Sequence, residues 1–318
     1  MFEMIVFGPV PSRRLGRSLG INNIPPKICS YACVYCQLGR TIRLQIKRQA
    51  FYETEKIVHA VRDKVAKVLD QGEEIDYLTF VPDGEPTLDL NLKAEISALK
   101  ELGIPIAVIS NASLMTQEDV REDLMGADWV SLKVDAVREP TWRRINRPHG
   151  NLDLQSILES MQIFAKAFPG ELVTETMILK NVNDEEIDLR EIASFLGEIQ
   201  PNIAYLSIPT RPPAEDWVRP ADEESIHLAY QLVGSEVNHV ELLLGYEGNA
   251  FSSTGDAVED LLSITAVHPM REDAVQQLLV KTGSSWELID QLVQQEKLVE
   301  VQHDGKRFYL RRIARMGW

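Results

Sequence analysis

The three cysteines of this chain, Cys29, Cys33 and Cys36, lie within eight residues in the spacing C-x3-C-x2-C. Thiolates at that spacing can hold three corners of a cubane [4Fe-4S] cluster, whose fourth iron then has no protein ligand. An open iron on a reducible cluster suits a small molecule that must bind metal and accept an electron. Structural zinc would need a fourth nitrogen or sulfur donor. No fourth cysteine exists, and the nearest histidines in sequence are His59 and His149, so zinc requires one of the histidines to be brought in by folding. A disulfide with a spare thiol needs an oxidising compartment, of which the sequence gives no sign.

With Tyr35 just before the last cysteine, the run resembles the signature of the radical S-adenosylmethionine (radical SAM) superfamily. The resemblance implies that the amino and carboxylate groups of SAM chelate the open iron, with Tyr35 beside the cofactor. An electron from the cluster then splits the sulfonium into methionine and a 5'-deoxyadenosyl radical. Further along, Pro82-Asp83-Gly84-Glu85-Pro86 resembles the family's Gly-Gly-Glu motif, with Asp83 where the first glycine usually sits. That implies Gly84 and Glu85 at the SAM ammonium group, although Pro, Asp and Gly also make ordinary turns. Ser110-Asn111-Ala112-Ser113 resembles the family's Thr-Asn-Gly turn with alanine for glycine. Asn111 is there either a SAM contact or a helix-entry residue.

In Trp129-Val130-Ser131-Leu132-Lys133-Val134-Asp135, alternation puts Ser131, Lys133 and Asp135 on one face of a strand. A lysine and an aspartate directed into a barrel are costly unless each meets the other or a ligand. The resemblance implies that Lys133 meets the methionine carboxylate and that Asp135 lies near the SAM ribose or the substrate; a structural ion pair is the alternative. By the same resemblance Glu175 matches a polar ribose contact, or else it is the counter-ion of an arginine. Ile208, in Leu206-Ser207-Ile208-Pro209, matches the apolar segment that flanks the adenine, or packs in the core.

The elements that must position these residues alternate regularly. Strands are expected at Ser18 to Asn23, Ile75 to Val81, Pro105 to Ser110, Trp129 to Val134, Leu172 to Leu179 and Ile203 to Ile208. Helices are expected at Glu53 to Asp70, Leu90 to Leu102, Gln117 to Met125, Leu152 to Phe168, Asp184 to Leu196 and Glu223 to Val233. Such alternation implies an α/β fold with a parallel sheet whose ligands gather at the C-terminal strand ends. No G-x-G-x-x-G or P-loop follows a strand. The resemblance selects a partial (β/α)6 barrel of TIM type, as in radical SAM enzymes, over residues 1–250.

From about Ser252 the pattern changes. Helices at Asp256 to Ile264, Arg271 to Lys281 and Ser285 to Glu296, then two strands around His303-Asp304-Gly305-Lys306, resemble a winged helix over 251–318, with Ser284-x-x-Glu287 as a capping box for its third helix. That third helix carries Glu287, Asp290 and Glu296 and no Lys or Arg, so major-groove DNA binding is not expected. Protein contact, packing on the barrel, or RNA contact through Arg307, Arg311, Arg312 and Arg315 is preferred.

A chain of 318 residues with 44% hydrophobic residues can bury a large core, and its start lacks the features of a signal peptide. No run is long enough to span a membrane, and a cytoplasmic protein is expected. The net charge is -15, yet residues 1–50 hold eight basic residues against Glu3, a local +7 that leaves -22 on the rest. This basic collar can attract an anionic substrate or an acidic electron donor such as flavodoxin or ferredoxin, or be paired within the fold. The stretch Arg138 to His149 should form a loop over the mouth, with four arginines and Trp142 for phosphate or carboxylate and stacking contacts.

Pro11-Ser12-Arg13-Arg14-Leu15-Gly16, Tyr35-Cys36-Gln37-Leu38-Gly39 and Asp83-Gly84-Glu85-Pro86-Thr87-Leu88 together resemble the wyosine-synthase-like group of the family over about residues 8–250. True tRNA wyosine synthases carry extra cysteines for a second cluster, and these are missing here. Single-cluster chemistry on tRNA or another anionic substrate is the favoured expectation. A protein or peptide substrate held by the winged helix, or a non-enzymatic metal and nucleic-acid binding role, remain the alternatives.

Overall fold

The computed structural model describes residues 4–245, 251, 255–303 and 305–312. The chain opens with β1 (Val6–Ser12) and β2 (Gly16–Ile21), an antiparallel hairpin, followed by the short parallel pair β3 (Ile28–Cys29) and β4 (Arg43–Leu44) that brackets the cysteine loop. Then come α1 (Thr54–Asp70), β5 (Tyr77–Phe80), α2 (Leu92–Leu99), β6 (Ile106–Ser110), α3 (Glu118–Leu124) and β7 (Trp129–Lys133). After these follow α4 (Glu139–Ile145), α5 (Leu154–Ala167), β8 (Glu171–Met177), α6 (Glu186–Ile199), β9 (Ile203–Ser207), α7 (Glu223–Glu236) and β10 (Val240–Leu243).

The sheet runs β1-β2-β5-β6-β7-β8-β9-β10, parallel from β2 onward, and curls into a partial barrel. All six expected strands and six expected helices are present. Two strands of this sheet went unforeseen. The Pro- and Arg-containing lead-in forms β1, and β10 adds a seventh parallel strand. Helices pack on the outer face because strand residues such as Val130, Leu132 and Leu172 meet helix stripes such as Ile57, Val61 and Val65 in one core. The inner face is sealed at its lower end by Leu15, from the turn between β1 and β2, against Ala107, Trp129, Val173, Tyr205 and Leu243.

The last part contains α8 (Ala257–Val267), β11 (Met270–Arg271), α9 (Glu272–Lys281), α10 (Glu287–Gln294), β12 (Leu298–His303) and β13 (Lys306–Arg311). Its three strands form the sheet β11-β13-β12. It shares a core with β1, since Phe7 and Val10 join Leu261, Ile264, Leu278, Leu279 and Tyr309. A buried pair, Lys64 with Asp260 at 3.8 Å, ties α8 to α1. The expected capping box does not form: Trp286 is the N-cap of α10, without a side-chain cap bond, and Glu287 instead receives Ser285 Oγ. Ser252, where the change of pattern is expected, the turn residue Asp304 and the RNA-contact candidate Arg315 lie outside the described residues.

Candidate active site

The cysteine loop follows β2 and is laid across the C-terminal ends of the strands. Cys29 closes β3, and Cys33 and Cys36 stand on one turn, with the Cys36 amide donating to the Cys33 carbonyl at 3.1 Å. The segment after β7 clamps the loop from outside. Ala32 N–H donates to the Asn146 carbonyl (3.0 Å), Val34 N–H to that of Ile145 (3.0 Å), and His149 N–H to that of Ser30 (2.9 Å). Where the sequence suggests an overhanging loop, this segment contains α4. Trp142 is 2% exposed, its indole N–H donating to Tyr31 Oη at 3.1 Å, so it offers no stacking face. An aromatic side chain with that much apolar area is worth more in the core than at the rim.

All three cysteines are free thiols. Burial pushes each upward, Cys33 to about 12, so the sulfurs resist ionisation until a positive metal centre is present. N–H donors already face them: Asn111 Nδ2 at 3.4 Å from Cys29 Sγ, Asn146 Nδ2 at 3.5 Å from Cys33 Sγ, and the Leu38 amide toward Cys36. Among the described residues no three His, Cys, Asp or Glu side chains close on a single metal ion. In a cubane each thiolate holds a different iron, so these sulfurs need not meet that condition. The donor set suits a cluster that carries negative charge on its sulfurs.

The Gly-Gly-Glu-like turn after β5 is latched to the loop. Gly84 bridges to Ile28, and a Cβ on Gly84 would stand 2.0 Å from the Ile28 carbonyl oxygen, which explains glycine there. Asp83, in place of the family's first glycine, pairs with buried Lys27 at 3.1 Å; burial raises the aspartate to about 6 even so. The Glu85 carboxylate is surrounded by donors of the chain itself. It is 1% exposed and accepts from Thr87 Oγ1 (2.7 Å), Ser110 Oγ (2.7 Å), Asn111 N (2.7 Å) and Thr87 N (3.2 Å). Its work is to tie the end of β5 to the end of β6. At that end Ala112 takes a φ of +64°, the conformation for which the family's glycine is suited.

Inside the barrel the expected face of β7 meets β8. Lys133 Nζ lies 3.2 Å from Asp135 Oδ1, 3.3 Å from Glu175 Oε1 and 5.1 Å from the centroid of the Tyr35 ring. Asp135 also accepts from Tyr35 Oη, from Asn146 Nδ2 (2.7 Å) and from the Met177 amide (2.9 Å). Glu175 accepts from Ser207 Oγ (3.0 Å) and pairs with Arg14 at 2.5 Å. Burial raises the Glu175 carboxyl, but Lys133 and Arg14 outweigh it and hold the group at about 2. Burial lowers Lys133, and Asp135 and Glu175 more than restore its charge. Ser131 sits on the same face, fully buried, its hydroxyl without a hydrogen-bond partner.

A cavity of about 10 Å³, lined by Asn111, Lys133, Asp135 and Asn146 among others, adjoins this network, room for a water molecule only. Ile208, next to Ser207 in sequence, lines a second cleft of about 240 Å³ between the ends of β9 and β10 and residues Arg271, His303, Lys306 and Phe308 of the last part. Sequence reasoning misses Arg14, Asn146 and Ser207 as members of the site. All three stand inside runs that the sequence does mark, but only folding shows which neighbours they reach.

The basic collar is mostly spoken for. Arg17 pairs with Glu74 and Asp76, Arg40 with Glu215, and buried Arg48 with Asp119 and Asp123. On the later segment Arg147 shares Glu215 (2.6 Å), Arg143 pairs with Glu139 (2.6 Å) and Arg138 with Asp188 (3.4 Å). No helix among the described residues is long and apolar enough to cross a membrane.

Comparison with known proteins agrees with this geometry. A UPF0026 protein of Methanocaldococcus jannaschii is 49% identical over 97% of this chain and 96% of its own length. Among solved structures, a radical SAM methyltransferase from Sphaerobacter thermophilus matches with a TM-score of 0.54, 11% identity and coverage of 71% of this chain and 66% of that one. A structure of TYW1 with a lysine-pyruvate adduct bound matches with a TM-score of 0.50, 20% identity and coverage of 70% and 74%. At those identities the structural matches speak for the fold. Residues 23–193 match the family model described as the Radical SAM superfamily, and the chain belongs to that superfamily of enzymes.

Proposed function

We propose that Cys29, Cys33 and Cys36 hold one [4Fe-4S] cluster with an open iron, and that SAM binds there with its polar groups against the barrel interior. The observation that carries this is the direct link from the cysteine loop to the barrel charges: Asn146 touches both Cys33 Sγ and Asp135, and Asp135 meets Tyr35 and Lys133. When bound, the cluster supplies the electron that splits the SAM sulfonium, giving methionine and a 5'-deoxyadenosyl radical. This chain's residues orient the cofactor. Lys133 is the cation available to the methionine carboxylate, and Glu175 and Asp135 are acceptors for the ribose hydroxyls or the substrate. These groups exchange their contacts with one another for contacts with SAM. Ser131 offers a further hydroxyl within the same space, Gly84 lets the chain pass close, and Ile208 forms the outer apolar wall.

The substrate class we propose is anionic, with tRNA or a nucleotide first. The support is the exposed Arg143, Arg144 and Arg147 beside the cysteine loop. Exposed Arg40 and Arg43 on the loop itself suit an acidic electron-donor protein. We read 251–318 as a winged-helix-like unit because its helices and strands follow that order. The helix α10 carries Glu287 and Asp290 and no basic residue, so it serves protein contact or packing rather than the DNA major groove.

Anaerobic reconstitution tests the core of this reading. The expected result is about four irons per chain, as one cubane requires. Reductant and SAM should then release 5'-deoxyadenosine, and cluster-loaded protein that releases none refutes the assignment.

A further inference from the structure

Two asparagine side chains reach the cysteine sulfurs from different parts of the fold, and the orientation of each amide is fixed by a second partner. Asn146 Nδ2 donates to Asp135 Oδ2 at 2.7 Å, and a carboxylate accepts only, so the amide nitrogen must lie on that side. Its remaining N–H faces Cys33 Sγ at 3.5 Å. Asn111 is set by its oxygen, which accepts the Ser113 backbone N–H at 2.9 Å. Its nitrogen therefore faces Ser30 Oγ at 2.9 Å and Cys29 Sγ at 3.4 Å. The backbones are held as firmly. Asn111 N–H donates to buried Glu85 at 2.7 Å, and the Asn146 carbonyl receives Ala32 N–H from the cysteine loop itself. Asn146 is 3% exposed, so water does not compete for its amide.

Hydrogen bonds to the sulfurs are one of the factors that set the potential of an iron-sulfur cluster, since each draws electron density from the sulfur and favours the reduced state. Resting on the cluster assignment above, we propose that Asn111 and Asn146 are positioning residues that raise the reduction potential of the cluster by donating to Cys29 and Cys33. Asp135 then has a second task besides facing the cofactor: it fixes the amide that polarises Cys33. Because Asn146 leaves the clamping segment and Asn111 the end of β6, the cluster is tuned from both sides of the loop.

The test is a potentiometric titration of reconstituted protein followed by EPR, for wild type, Asn111→Leu and Asn146→Leu, with iron content measured on each. Each substitution should lower the midpoint, and at a fixed reductant potential the ratio of reduced to oxidised cluster in Asn146→Leu should fall about tenfold, equivalent to ~59 mV for one electron. Midpoints unchanged at full iron content overturn the proposal. Should a variant fail to take up iron, wild-type protein labelled with 15N in its asparagine amides decides the matter. Pulsed EPR of the reduced cluster should show weak 15N coupling, and its absence overturns the proposal. A wild-type protein with no cubane signal removes the cluster assignment itself, and this inference with it.

Discussion

Two sets of charged side chains flank the cysteine loop, and they are held in opposite ways. In the barrel interior Arg14, Lys133, Asp135 and Glu175 have side chains between 0% and 14% exposed and satisfy one another, two cations against two anions. At the rim the side chains of Arg40, Arg143 and Arg147 are 76%, 51% and 43% exposed, and each leans on one acid, with Glu215 shared. Buried charges are bought with desolvation that only good geometry repays, so the interior set can change partners only for something equally charged. Exposed pairs contribute little and rearrange at little cost. Under the proposed function, the interior set is the one suited to a charged cofactor and the rim set the one suited to a large anionic partner.

Removing the shared cation gives the sharpest break of this contrast. Lys133→Met leaves Asp135 and Glu175 in the interior without the lysine between them, and taking one partner from a buried pair costs about 3–5 kcal/mol. Urea unfolding of the variant should show that loss. A change below about 1 kcal/mol would mean that the interior charges are hydrated, and the distinction between interior and rim would fail.

A smaller effect follows from acid. Glu175 is held at about 2 against an ordinary value of 4.5, so its stabilising contribution is complete above pH 4.5 and is lost as pH falls from there toward 2. A shift of that size corresponds to on the order of 3 kcal/mol at most, since neighbouring groups share it. Glu175→Gln should flatten the acid limb of a stability-against-pH curve between about 4.5 and 2. An acid limb identical to that of the wild type would show that Arg14 and Lys133 do not bear on this carboxylate.

The contrast also explains what can be read from the sequence. Lys133, Asp135 and Glu175 are legible because strand alternation puts charged residues on an apolar element where they must have a purpose. Arg14 is not, since it reaches Glu175 from a hairpin 161 residues earlier and the lead-in has no strand pattern to mark β1. The strand β10 escapes because Val240–Leu243 has only four residues and one buried side chain, too little for periodicity to register. The motif around Glu85 suggests a ligand contact, and its bonds to Thr87, two residues on, and to Ser110, 25 residues on, add an internal tie that the motif does not announce. The arginines around Trp142 suggest a surface, although Tyr31 and the clamping backbone claim the ring. In each case the chemistry of the residue type is visible in the sequence, and its partner is supplied by tertiary contact.

The rim should show the smallest effect on the protein and the largest on its partner. Arg143 is paired within α4 to Glu139, an exposed contact between residues four apart whose typical worth is ~0.3–0.5 kcal/mol. Arg144 is exposed on the same helix. Arg143→Ala with Arg144→Ala should therefore leave the unfolding free energy within about 0.5 kcal/mol of wild type, and 5'-deoxyadenosine release without substrate unchanged. If these arginines meet phosphates, tRNA affinity measured across a salt series should weaken, and the slope of log K against log salt should become shallower by about 0.9 for each phosphate of a duplex region that is no longer neutralised. An unchanged slope with weakened binding of a protein or peptide would assign the rim to that class of substrate. A stability loss of several kcal/mol would show that the rim is held like the interior, and the difference between the two regions would then be one of position rather than of physical kind.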